Sequence, residues 1–195
     1  MTCAENVARY FIELARSESP ESVPITNLHV QKLLYYAQGW ALCSSGRRLF
    51  DEDIEAWKLG PAIPRVYRVF KEYGASAIAF SEGDTSFADK MSADDKAIIE
   101  SVWRGYRNFS AVGLAAMTHR EQPWKSARSG LRDDENSSRP ISLDDLRQFF
   151  KAKATEIARN HPHLPTKEEI DAGLAEIEAG GGVTLDELEE ELRGA

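Results

Sequence analysis

The chain has 195 residues, 24 of them basic and 32 acidic, for a net charge of −8, and 42% of its side chains are hydrophobic. That is enough apolar matter for a core, and the length suits one domain plus an extension. No apolar run approaches the ~20 residues of a membrane span. The acidity is local: residues 166–195 hold only Lys167 and Arg193 against ten carboxylates. That segment alone accounts for −8, leaving the rest neutral, so neither part offers the basic stripe that binding duplex nucleic acid requires.

In chain order, Thr2-x-x-Glu5 reads as a capping box for a first helix with Val7, Tyr10, Phe11 and Leu14 on one face. The start MTCAENVARYF has no basic region followed by an apolar block, so no signal peptide is expected, and Cys3 and Cys43 are expected reduced, in the cytoplasm. Pro20 and Pro24 bound a loop. Thr26 caps a second helix with the stripe Val30, Leu33, Leu34, Ala37 and Ala41, ended by Gly46.

Arg48 to Phe50 and Ile54 to Trp57 read as a hairpin around Asp51-Glu52-Asp53. Gly60-Pro61 then breaks the strand. Pro64 falls in the first turn of a helix, where its missing N–H costs nothing, and Val66, Val69, Phe70 and Tyr73 form the apolar side. Residues 75–91 read as a polar loop. Ser92 caps a helix bearing Ile98, Ile99, Val102, Trp103 and Tyr106. Ser110 opens a shorter one, through Leu114 to His119, pinned by Pro123-Trp124. Ser142 opens the last helix of the body, with Leu143, Leu146, Phe149, Phe150 and Ile157.

Beyond residue 160 the character changes. Two short amphipathic segments, with Ile170, Leu174 and Ile177 and then Leu185, Leu188 and Leu192, flank Gly180-Gly181-Gly182. Each is too short to be a stable helix alone and needs the body or a partner to order it. The fold expected is mainly α: a compact helical domain over 1–160 with one small β-hairpin near residues 48–58. An acidic helical extension follows over 161–195, and Leu174, Ile177, Leu185, Leu188 and Leu192 are its candidate partner-binding residues.

Chemistry leaves few signals. His119 with Thr118 and Glu121 is the one acid–base grouping, and a Thr and a His at a helix end before Pro-Trp more simply cap a turn. Four histidines and two cysteines show no metal-ligand spacing. There is no phosphate loop and no nucleophile elbow. No catalytic residue, cofactor or metal is expected.

Three strings make the chain recognisable: QKLLYYAQGW, then IEAWKLGPAIPRVY, then TH-x-x-x-PW. In combination they resemble the Panacea antitoxin domain family, which includes SocA-like antitoxins and phage-associated proteins. The likeness runs roughly from Val7 to Lys125. It is carried by Lys32, Leu33, Leu34 and Tyr35; by Glu55, Ala56, Trp57, Gly60, Pro61, Pro64 and Tyr67; and by Thr118, His119, Pro123 and Trp124. The resemblance implies a bacterial antitoxin that binds a co-encoded toxin protein and holds it inactive. The SocA-like branch adds an alternative, an adaptor that delivers the toxin to the ClpXP protease. A hydrolase using His119 is the third reading. Trp57, Pro61, Pro64, His119 and Trp124 are expected to form one cluster, structural or toxin-binding, with Trp57 filling the core.

Overall fold

A computed structural model describes residues 2–17, 25–79, 86–132 and 134–160. The chain divides into two units, Met1–Ala154 and Thr155–Ala195. The expected features beyond residue 160 lie outside the described residues. The described part of the second unit, 155–160, is helical.

The first unit is built around α2 (Asn27–Ser44), with Thr26 Oγ1 accepting from the His29 N–H as its N-cap. Against α2 pack α1 (Ala4–Ser17), α3 (Pro64–Val69), α5 (Ala93–Tyr106) and α6 (Ala111–Arg120); α4 (Ser86–Asp89) lies on α1, α7 (Gln122–Ala127) packs on α6, and α8 (Leu143–Asn160) belongs to this unit as far as Ala154. The mainly α class with one small hairpin is what the periodicities indicated. Ser92 and Ser110 cap α5 and α6 as read, each accepting a backbone N–H three residues on.

The expected stripe of α2 is buried, but so is almost everything else on it, including Gln31, Lys32, Tyr35, Tyr36 and Gln38. A helix covered on all sides must satisfy its polar side chains internally. It does so by feeding them to irregular backbone. Gln31 and Gln38 lie seven residues apart, on one face. Gln38 accepts from the N–H groups of Leu49 and Phe50 and donates to the Phe50 carbonyl. Gln31 accepts from Ile63 N–H at 2.7 Å and donates to Asn27, which donates to the Tyr67 carbonyl. The polar strip of α2 thus replaces a sheet partner at Leu49-Phe50 and at Ile63, on either side of the hairpin. At Gly39 an added Cβ would lie 2.2 Å from the Phe150 ring, so a side-chain-free position lets α8 approach α2.

Several local expectations are corrected. The hairpin is not 48–50 with 54–57. Strand β1 (Glu55–Trp57) pairs antiparallel with β2 (Gly60–Ala62) across Lys58-Leu59, with Ala56 opposite Pro61. The Leu49-Phe50 backbone, expected in a strand, is held by Gln38. Gly60, at φ +92°, supplies the tight turn. Pro61 is tolerated in β2 because its opposite number turns away: Ala56 N–H donates to Arg139 O, and Ala56 O accepts from Arg128. Thr2-x-x-Glu5 is not the cap of α1. Ala4 N–H donates instead to Glu52, 48 residues on, while Glu5 pairs with Arg9. The stretch 75–91 contains α4, with Phe87 in the core. The Ser110 helix runs as read, to one residue beyond His119, and α7 follows after the extended residue Glu121. Among the described residues no helix is long and apolar enough to cross a membrane.

Candidate functional site

The motif residues meet at the corner where β1–β2 lies against α2, α6 and α7. Lys32 comes up from α2, 1% exposed, and its ammonium donates to the Pro61 carbonyl at 2.8 Å. Burial pulls its pKa down from 10.5 to about 7. Thr118 arrives from α6, fully buried, its hydroxyl donating to Ala115 O. A Cβ on Gly60 would sit 2.8 Å from both Lys32 Nζ and Thr118 Oγ1. Lys32, Gly60, Pro61 and Thr118 therefore converge on one point under the hairpin, and only a glycine leaves room for them.

One layer outward the two tryptophans meet. The Trp124 indole N–H donates to Trp57 O at 2.9 Å. The ring of Trp124 is buried, with His119 stacked on it at 4.3 Å and the Arg128 guanidinium 4.9 Å from its centre. Pro123 stands at the start of α7 and Pro64 at the start of α3, each in a first turn. Trp57 behaves differently. Its N–H donates to Glu55 at 2.6 Å and its ring meets Tyr67 edge-on at 5.0 Å. It is only half-buried and lines an open cleft of about 550 Å³. The cleft is walled by Glu55, Trp57, Lys58, Leu59 and Tyr67 on one side and Asn136 to Ser138 on the other. The core expected of Trp57 is filled by Trp124. Alternation explains this: Ala56 faces inward and its neighbours outward.

Tyr35 stands apart from the corner. It is buried edge-on against Tyr36 and Phe150, and burial, reinforced by the nearby Glu121 carboxylate, raises its pKa well above the ordinary value. Glu121 Oε1 accepts from Tyr36 and from Lys153, whose ammonium lies over the Tyr36, Tyr106, Phe149 and Phe150 rings. The carboxylate grouped with His119 in the sequence is thus committed to a tyrosine and a lysine at the α8 contact. Among the described residues, no three His, Cys, Asp or Glu side chains gather as a metal site would require.

Sequence reading missed Arg128. It is 4% exposed and donates to Ala56 O at 3.0 Å and to the carbonyls of Arg132 and Glu135 at 2.7 Å each. One guanidinium thereby fastens β1 to the loop that forms the far wall of the cleft. Its spacing of four from Trp124 on a helix was the available signal. Leu59 and residues 136–138 carried none, since their proximity is decided by the pairing of Glu55 with Pro140.

These residues fall where comparison with known proteins finds its match. Residues 30–125 match the model of the antitoxin SocA-like, Panacea domain family. Over these residues the chain is similar to a SocA-like Panacea domain. A curated relative, antitoxin SocA from Caulobacter vibrioides (strain NA1000 / CB15N), is 50% identical over 56 residues, covering 29% of this chain and 30% of that protein. The match thus spans under a third of that relative. The Panacea segment takes in most of α2, the hairpin, α3, α4, α5, α6 and the first turn of α7. The fourth residue of the recognised string QKLLYY, Leu34, and its neighbours form the innermost helix of the fold.

Proposed function

We propose that this protein is the antitoxin of a bacterial toxin–antitoxin pair, acting in the cytoplasm by direct binding to a co-encoded toxin protein. The observation that carries this reading is the SocA-like Panacea match over the residues that build the hairpin corner. The geometry supports a binding module. Lys32, Gly60, Pro61, Thr118, Pro123 and Trp124 hold the corner from within, and Glu55, Trp57 and Tyr67 are left at a surface cleft with aromatic walls. Tryptophan and tyrosine in a cleft are the side chains on which protein–protein affinity concentrates.

The test is co-expression with the product of the neighbouring open reading frame. The antitoxin reading expects that product to stop growth and this protein to restore it. Repeating the rescue in a strain lacking ClpP separates two modes. Rescue that survives is blocking by contact, and rescue that disappears is delivery to ClpXP. A neighbour whose toxicity this protein leaves untouched would sink the reading.

A further inference from the structure

The geometry points to the cleft between the hairpin tip and residues 136–138 as the docking site for a toxin segment in which an apolar side chain is flanked by carboxylates. This inference rests on the antitoxin reading above and adds the surface and the chemistry of the contact.

The apolar part of the argument is the exposure of Leu59. It lies at the turn of the hairpin with 59% of its surface in water, beside the half-buried Trp57 and Tyr67. A two-residue turn has no folding need for leucine. Polar residues and glycine are the usual choice there. Trp57, Leu59 and Tyr67 form a continuous apolar wall, and about 550 Å³ is room for a large side chain with its neighbours.

The polar part is a local excess of positive charge on an acidic protein. From Glu55 to Tyr73 the chain carries Lys58, Arg65, Arg68 and Lys71 against Glu55 and Glu72. All four basic side chains are exposed, and none makes an ion pair among the described residues. Lys58 lines the cleft itself. The Glu55 carboxylate, which also lines the cleft, accepts the Trp57 N–H. Ser137 and Ser138 add hydroxyls on the opposite wall, where the loop is braced by the Arg128 bonds to Arg132 and Glu135. The unpaired Lys58 ammonium in an apolar slot, with a basic stretch following it in the chain, complements an acidic, apolar segment and opposes a basic one.

The sign is opposite to that expected of any contact made by the acidic residues 166–195, so the two contributions are separable by charge reversal.

The experiment measures binding of the full-length protein to the neighbouring toxic protein by calorimetry at two salt concentrations. Leu59→Asp should weaken binding by at least about 10-fold, as loss of a central apolar anchor does. Lys58→Glu should weaken it by about 3- to 10-fold and reduce its salt dependence, while Lys58→Arg keeps both. Leu59 and Lys58 are exposed, so the melting temperature should not move. Trp57→Phe, which keeps the ring against Tyr67, should weaken binding by a smaller factor. Wild-type affinity in both Leu59→Asp and Lys58→Glu, with growth rescue intact, would overturn the docking site and leave the antitoxin reading standing. A wild-type protein that neither binds nor rescues would overturn both. Leu59→Asp that instead dissociates a homodimer in sedimentation, or abolishes retention on a duplex DNA column, would assign the cleft to a second copy or to nucleic acid and refute the proposal.

Discussion

Trp124 donates its indole N–H to the backbone carbonyl of Trp57, 67 residues earlier, at 2.9 Å. One tryptophan is thereby buried to hold the strand that carries the other to the surface. The two rings, equal in the sequence, have different roles, and their substitutions should differ.

Trp124→Ala should cost ~3–5 kcal/mol, as for other large buried rings, and Trp124→Phe ~1–3 kcal/mol for the buried carbonyl left without its donor. Trp57→Ala removes a half-buried ring and should cost clearly less than Trp124→Ala. Urea unfolding of the three variants ranks them, and equal losses at the two positions would contradict the assignment.

Lys32 gives the protein a specific pH signature. Its folded pKa is lowered to about 7 from 10.5 by burial. Between those values the unfolded chain holds more protons at this site than the folded one, so stability rises with pH across the window and is lost as pH falls toward 7. Below about 7 both states are protonated and the dependence ends. Lys32→Met removes the titration. Measured by urea unfolding, the variant's stability relative to wild type should be higher at pH 7 than at pH 9.5, by ~2–3 kcal/mol from the shift in proton affinity. A difference independent of pH would show that the lysine titrates normally.

His119→Ala should leave neutralisation in step with binding. The ring is stacked on Trp124, so some stability is lost, but a stoichiometric inhibitor needs no general base. A folded variant that binds toxin at wild-type affinity yet fails to rescue growth would favour the hydrolase reading.

Deleting residues 166–195 should keep the melting temperature and lower toxin affinity, with less salt dependence, because that segment carries the whole net charge of −8. Scanning calorimetry and binding to the toxic protein, run on the same truncated chain, check both halves. A large fall in melting temperature with unchanged affinity would place the segment in the fold.

The helices were legible because their signals are local. Thr26, Ser92 and Ser110 cap the helices they precede, and the stripes of α1, α2 and α5 point inward. The motif strings named Lys32, Gly60, Pro61, Thr118 and Trp124 as motif residues, but the cluster expected from them was Trp57, Pro61, Pro64, His119 and Trp124, without Lys32, Gly60 or Thr118. Failures came where a distant group replaced a local one. Glu52 took the Ala4 N–H that a capping box would have used, and Gln38 took the backbone expected in a strand. Neither partner sits at the three- or four-residue spacing through which caps and helical stripes are read.

The sequence by itself determined the mainly α class and the family likeness. Tertiary structure decided which tryptophan is buried, which strands pair, and that residues 136–138 face Leu59 across a cleft. The physical reason is that capping and amphipathic stripes are written in neighbours three or four residues apart. Which ring is buried depends instead on strand pleat and on Arg128 tying a carbonyl of β1 to two carbonyls of the loop that follows α7. No spacing in the chain encodes those contacts.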